Sequence, residues 1–205
     1  MARQVFWRAG AAREAAPRIS HLDLDRPLVE AARRNPAQFD ALYRRYLAQV
    51  YSYAYYELGD HHAAEDATER VFLAALANLH RFEERAKPAD GEGASTFRVW
   101  LFRIARNVVS NERRSARRRP ADPIDETTVV ADPLNVEESV VRREEAGAAL
   151  RAVGRLAGDR RRALILRFVD EMSTAEIAGV LGRSEGAVRV LIHRALRNVA
   201  RDLGA

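Results

Sequence analysis

Ser173-Thr174-Ala175-Glu176, Gly182 and Ser184, followed by Arg189, Arg194 and Arg197, are the residues whose types and spacing say most about chemistry. Ser173 and Glu176 have the Ser-x-x-Glu spacing of a capping box, which opens a short helix with Ile177, Ala178 and Leu181 inward. Gly182 supplies a turn, and Ser184 caps a second helix running from Glu185 to about Asp202. Val188, Ile192, Ala195, Val199 and Leu203 form its core stripe, leaving Arg189, Val190, His193, Arg194 and Arg197 outward. Two helices across a short glycine turn, the second basic on its open face, are the DNA-reading helix-turn-helix. Groove geometry turns Glu185, Gly186, Arg189, Val190 and His193 toward base edges. Arg183, Arg194 and Arg197 then fall near phosphates, with Ser184 at the helix start. The competing reading is an ordinary helical hairpin in which Arg189 is a solvated charge.

Catalytic chemistry finds little support. His61-His62 stands near Glu65 and Asp66, and His62 and Asp66 are four apart on a helical pattern. A hydrolytic zinc site of that type needs a further ligand and a general base, and the sequence contains no HExxH, GxxxxGK[ST], GxGxxG or GxSxG. With zero Cys, thiol nucleophiles, thiolate zinc sites and disulfides are excluded. The expectation is a non-enzyme with no metal, cofactor or small-molecule substrate.

The 205 residues comprise 34 Lys plus Arg against 29 acids, a net charge of +5, and Lys87 is the only lysine. Arginine suits bidentate contact with phosphates and base edges; a GC-rich genome is the competing cause of the excess. The charges are segregated. Glu57 to Glu69 holds five acids and no Lys or Arg. Arg98 to Arg119 holds eight Arg and one acid, Pro120 to Glu145 eight acids and two Arg, and Arg151 to the end eleven Arg and six acids. Such alternation suggests separate faces for separate partners, the basic blocks being candidate nucleic-acid footprints. No window approaches the roughly 18 apolar residues of a membrane span, and the N-terminus lacks the apolar run of a signal peptide, so a cytoplasmic protein is expected.

The elements that must position these residues are helices. Phe39, Leu42, Tyr43, Tyr46, Val50, Tyr53 and Ala54 recur at helical spacing from Pro36 to about Glu57, and Gly59-Asp60 breaks the pattern. A second helix is predicted from about Ala63 to His80, with Ala64, Ala67, Val71, Ala75 and Leu79 on one stripe and Asp66, Glu69, Arg70 and Leu73 on another. A third starts near Thr96 with Phe97, Trp100, Leu101, Ile104, Ala105 and Val108 inward. Periodicity stops between about Ser115 and Glu138, where Pro120, Pro123 and Pro133 fall in acidic sequence that reads as a linker. The fold class is therefore all-α, with two small helical domains joined by a flexible connection.

In this order the motifs resemble the bacterial RNA polymerase sigma factors of the extracytoplasmic-function type, from about Leu22 to Leu203. Phe39 to Tyr46 looks like the opening of the family's region 2, and His62 to Phe72 is similar to its polymerase-binding helix. Phe97 to Asn107 is similar to the helix that melts and reads the −10 promoter element, and Leu164 to Leu203 to region 4, which reads the −35 element. The resemblance implies a tail at 1–21, a region 2 domain at 22–115, an acidic linker at 116–139 and a region 4 domain at 140–205. It implies polymerase contacts at Glu65, Asp66, Glu69, Arg70 and Leu73, where acidic charge suits a basic clamp surface. It implies −10 contacts at Arg98, Arg103, Arg106, Asn107, Arg113 and Arg114, and base capture near the loop 83–95. Trp100 and Phe102 are candidate stacking surfaces, with core the favoured role for Trp100. Glu69 stands where the family usually has Gln, Asn111 where Asp is common, Ala157 where Pro is frequent and Glu171 where Gly is frequent.

The function so implied is a sigma factor that binds core RNA polymerase and promoter DNA, directs melting and initiation, and is held by an anti-sigma factor. The alternative is a helix-turn-helix repressor that binds operator DNA without polymerase. That alternative leaves the acidic helix and the Arg-rich helix at 97–114 unexplained.

Overall fold

The computed structural model describes residues 24–84, 95–118 and 151–204. The predicted tail at 1–21, residues 119–139 of the predicted linker, residues 140–150 of the predicted region 4 domain and most of the loop 83–95 lie outside them, while residues 116–118, read as the start of the linker, are helical. Seven α-helices are labelled here: α1 (Arg26–Arg34), α2 (Phe39–Leu58), α3 (His61–Asn78), α4 (Thr96–Arg118), α5 (Asp159–Phe168), α6 (Thr174–Leu181) and α7 (Glu185–Asp202). Short 3-10 turns precede α2 and follow α3, residues 151–155 are helical, and no strand occurs among the described residues.

Local chemistry sets most boundaries. Gly59 takes φ 77°, a left-handed conformation that costs glycine little, and donates its N–H to the Tyr55 carbonyl at 2.7 Å to close α2. Asp60 then accepts from the Ala63 N–H at 2.7 Å and starts α3 two residues earlier than the apolar stripe indicated. Ser95 caps α4, its hydroxyl accepting from the Arg98 N–H at 2.9 Å. The same hydroxyl donates to the buried Asp25 carboxylate, which also accepts from the Tyr46 hydroxyl and pairs with Arg45 at 3.0 Å. This buried node ties the start of α4 to α1 and α2. It is legible only in three dimensions, since Asp25 and Ser95 are 70 residues apart.

Ala64, Ala67 and Ala75 on α3 are fully buried, and their small side chains let α2 and α3 approach closely around Leu42, Val50 and Val71. Phe97 and Leu101 fill the same core from α4, as their stripe predicts. Phe102 and Val109, on a different face of α4, are equally buried. The reason is the C-terminal half. Ala163, Ile165, Leu166, Met172, Ile177 and Val180 join the cluster built by α1 to α4, so one apolar core runs through both halves. Two corrections follow for the stripes. Tyr43 is 38% exposed, and Leu203 is 45% exposed.

Glu171 adopts φ 51°, and it is the only non-glycine described residue with positive φ. An L-residue there costs about 1–2 kcal/mol, against which glycine costs about 0.5–1 kcal/mol more unfolded-state entropy. Glu171→Gly is therefore expected to stabilise the chain by about 0.5–1 kcal/mol, raising Tm by roughly 2 °C in thermal unfolding. A lowered Tm would mean the Glu171 side chain contributes more than its backbone strain removes.

Candidate nucleic-acid and polymerase interfaces

The helix-turn-helix forms as its sequence dictates. Ser173 accepts from the Glu176 N–H at 3.2 Å while the Glu176 carboxylate accepts from the Ser173 N–H at 2.8 Å. Gly182 turns at φ 66°, and Ser184 caps α7 by accepting from Ala187 N–H at 3.2 Å. Val188 and Ala195 are buried, and Ile192 and Val199 half-buried. Ser184, Glu185, Gly186, Arg189, Val190, His193, Arg194 and Arg197 all lie exposed on one side of α7 or at its start. The Arg189 side chain is 70% exposed and reaches back to Glu185 at 3.2 Å, which holds its guanidinium over the helix start. Arg183 pairs with Asp159 at 2.9 Å, joining the turn to α5. This face offers cations and hydrogen-bonding groups over a helix of groove-fitting width.

The basic face of α4 is arranged differently. Arg98 donates from Nη2 to the Asp170 carbonyl and lies 3.5 Å from Glu176 through Nη1. Arg103 donates to the Gly179 carbonyl at 2.7 Å, and Arg106 to the Val180 carbonyl at 3.3 Å. Three residues with the sequence signature of promoter contacts thus bond to the C-terminal half. Asn107 and Arg114 are exposed. Arg113 lies 3.1 Å from Glu57, a fully enclosed carboxylate that also meets Arg161 at 3.3 Å and Arg162 at 3.8 Å. Burial raises the Glu57 carboxyl against the downward pull of Arg161 and Arg162. Asp170 is buried beside Arg98, and burial pushes its carboxyl up to about 7 while Arg98 pulls it down. Sequence analysis missed Glu57, Asp170 and Arg161, because a buried ion pair spanning 104 residues has no local signature.

The aromatic residues of α4 are packed. Phe102 is fully buried edge-on to Tyr53, 5.6 Å between ring centroids, so it offers no stacking surface in this state. Trp100 is half-buried at the margin of the core, packed on Phe82 at 5.4 Å and Phe97 at 5.6 Å.

An apolar groove of about 440 Å³ opens between α2 and α3. Phe39, Tyr43, Leu47 and Tyr51 line it from α2, and Phe72, Leu73 and Leu76 from α3, with Glu65 and Glu69 at its rim. Tyr43 leans edge-on against Phe72, at 4.8 Å, which explains its exposure: it is a groove wall rather than a core residue. Leu73 is 59% exposed. Of the residues predicted to meet polymerase, Glu65, Glu69 and Leu73 border the groove, Asp66 is exposed on α3, and Arg70 turns to Glu112 on α4. The i, i+4, i+8 spacing of Tyr43, Leu47 and Tyr51 is the signal that would have located it. His61 bonds the Tyr51 hydroxyl at 2.5 Å and stacks on Tyr55 rather than joining His62 in a metal site. The described residues contain no group of three or more His, Cys, Asp or Glu able to hold a metal, and no helix long and apolar enough to cross a membrane.

Comparison with known proteins matches two family models, Sigma-70 region 2 over residues 42–119 and Sigma-70 region 4 over residues 146–199. The ECF RNA polymerase sigma factor BldN of Streptomyces coelicolor is 36% identical over 181 residues, covering 86% of this chain and 64% of that protein. SigL of Mycobacterium tuberculosis, also an ECF RNA polymerase sigma factor, is 33% identical over 183 residues, covering 85% of this chain and 95% of SigL. Among solved structures, CnrH in complex with the cytosolic domain of CnrY aligns with a TM-score of 0.65 at 26% identity, over 89% of this chain and 98% of CnrH. With the caps, the helix-turn-helix and the order of the two halves, these matches lead to one conclusion: the chain belongs to the extracytoplasmic-function family of RNA polymerase sigma factors.

Proposed function

We propose that this chain binds core RNA polymerase and directs it to promoters, with region 2 at 22–115 reading the −10 element and region 4 at 140–205 reading the −35 element. It acts in the cytoplasm, without enzymatic activity or cofactor, under an anti-sigma factor. The observation that carries this reading is the pairing of two surfaces on one chain: an exposed arginine-bearing recognition helix and a separate apolar groove with an acidic rim. A repressor needs only the first.

Polymerase docks along the α2–α3 groove, with apolar contact at its floor and Glu65 and Glu69 choosing a basic partner surface. Once polymerase holds region 2, the tether through the acidic linker raises the effective concentration of α7 at the −35 element. Arg98, Arg103, Arg106, Asn107, Arg113 and Arg114 then serve the −10 DNA.

Run-off transcription with core polymerase on a promoter library tests this. Transcripts that appear only with the chain present establish it; a shift of duplex operator DNA by the chain alone, with no transcripts, favours the repressor. Within that assay, Arg189→Ala is expected to cost about 1–3 kcal/mol of initiation on the cognate promoter if Arg189 holds a base edge. An equal loss on every promoter sequence would make it a phosphate contact.

A further inference from the structure

Arg106, Ser110, Arg113 and Arg114 follow one another at i, i+4, i+7 and i+8, so they share one face of the C-terminal part of α4. Arg155, from the helical residues 151–155, and Arg162 of α5 complete the wall of a cavity of about 680 Å³. That volume lies in the range of small-ligand sites, about 300–1,000 Å³. No carboxylate lines it among the described residues. Gly154 and Gly158 in its wall add no side chain, and open space lies where their Cβ atoms would stand. The neighbouring acids are divided among many cations. Glu57 serves Arg113 at 3.1 Å, Arg161 at 3.3 Å and Arg162 at 3.8 Å. Asp159 serves Arg162 at 3.3 Å and Arg183 at 2.9 Å, and Asp202 meets Arg155 at 3.3 Å. Arg106 bonds a backbone carbonyl, that of Val180 at 3.3 Å, and exposed Arg114 meets no carboxylate among the described residues. The Nε of Arg162 is buried with no hydrogen-bond acceptor among them. The wall thus holds donors and charge that the protein's own acceptors leave unused.

We propose that this cavity is a binding site for a polyphosphate, a small molecule carrying a chain of two or more phosphates. Guanidiniums are planar forks of N–H donors that pair with phosphate oxygens two at a time. Five of them around one space, with no acid in the described wall, exceed what a single carboxylate or monophosphate neutralises. A phosphate chain brings several negative charges within one small molecule. The Ser110 hydroxyl accepts from Arg162 at 3.0 Å, which leaves its hydrogen to donate to a phosphate oxygen. A DNA duplex, whose major groove alone is about 12 Å wide, is too broad to enter a space of this volume. The site draws Arg106, Arg113 and Arg114 from one half of the chain, and Arg155 and Arg162 from the other. Bound polyphosphate therefore holds the halves together and stabilises the folded chain by mass action. The inference goes beyond promoter reading and does not rest on it.

The test uses the full chain without polymerase, titrated calorimetrically with inorganic triphosphate and separately with adenosine triphosphate. Salt of about 0.15 M screens loose attraction to the surface. The expected result is saturable binding of one molecule per chain, with a raised Tm. Arg114→Gln with Arg155→Gln removes one exposed guanidinium from each half. That pair should weaken binding by at least about tenfold and abolish the rise in Tm. Arg194→Gln with Arg197→Gln takes the same charge from the exposed face of α7 and should weaken binding by less than about threefold. Circular dichroism checks folding, and Arg114→Gln alone serves should the first pair not fold. Equal affinities for the two probes support a site for the phosphate chain alone. Tighter binding of the nucleotide supports one that also takes the nucleoside. Absence of saturable binding by either probe overturns the proposal, as does an equal loss in the two double variants. A parent that ignores both probes but binds a single-stranded oligonucleotide through Arg114 and Arg155 gives these arginines to nucleic acid, and overturns it as well. Failure of the sigma-factor reading is seen separately, in run-off transcription.

Discussion

Glu57→Ala is expected to part the two halves of the molecule. The Glu57 carboxylate has no exposed side-chain surface and faces Arg161 at 3.3 Å, Arg113 at 3.1 Å and Arg162 at 3.8 Å. Arg161 is itself only 7% exposed, and it spends a further donor on the Gly154 carbonyl. Removing the carboxylate leaves this guanidinium buried without an anion. Breaking one partner of a buried pair typically costs about 3–5 kcal/mol, because the other charge is stranded. The chain has a way to limit that loss: separating α5 from α2 returns Arg161 to water. Urea unfolding should therefore change from one transition to two, and small-angle scattering should show a larger radius of gyration before any helix melts. Glu57→Gln keeps the shape and loses the charge, so it should move both readouts in the same direction by less. Pairing Glu57→Leu with Arg161→Met should restore the single transition, since well-packed apolar replacements of a buried ion pair are often neutral or stabilising. A Glu57→Ala protein that keeps one transition within about 0.5 kcal/mol of the parent would mean the cluster contributes nothing to joining the halves.

Leu73→Asp should remove polymerase binding while leaving the fold intact. Leu73 sits on α3 at the edge of the groove, 59% exposed, so its own burial contributes little to stability. Its neighbours Glu65 and Glu69 already give the rim negative charge. A carboxylate at 73 would place a charge without a partner against the apolar part of the groove proposed to meet polymerase. Introducing an unpaired charge at an apolar contact that closes on binding is expected to cost about 2–4 kcal/mol, a loss of roughly 30- to 1000-fold in affinity. The measurement is competition for core polymerase against a labelled parent chain, with circular dichroism as the control on folding. Leu203→Asp, on an exposed apolar residue at the far end of α7, serves as the matched substitution away from the groove. A loss below about threefold for Leu73→Asp would move the docking surface elsewhere.

The sequence by itself determined the local structure and the family. The capping box at Ser173 and Glu176, the left-handed turns at Gly59 and Gly182, and the caps at Asp60 and Ser184 are each written in a few adjacent residues, and each forms. Helical spacing correctly marked one inward face on each of α2, α3 and α4. That is what periodicity reports: the face a helix turns to its nearest neighbours in the chain. Only the tertiary structure decided what the remaining faces meet. Phe102 and Val109 are buried because α4 is covered on a second side by residues some 60 to 80 positions away in the chain. Arg98, Arg103 and Arg106 read as free cations along the sequence and are bonded to carbonyls of the other half in the fold. Tyr43 passes for core by spacing and proves to be the wall of a groove. Glu57 and Asp170 carry no mark of burial in their neighbourhoods, because desolvation is set by what packs over a residue and not by what adjoins it. The caps, turns and exposed faces of α3 and α7 are thus written locally in the sequence, while the bonds from α4 to the carbonyls of Asp170, Gly179 and Val180 exist only where two distant halves meet.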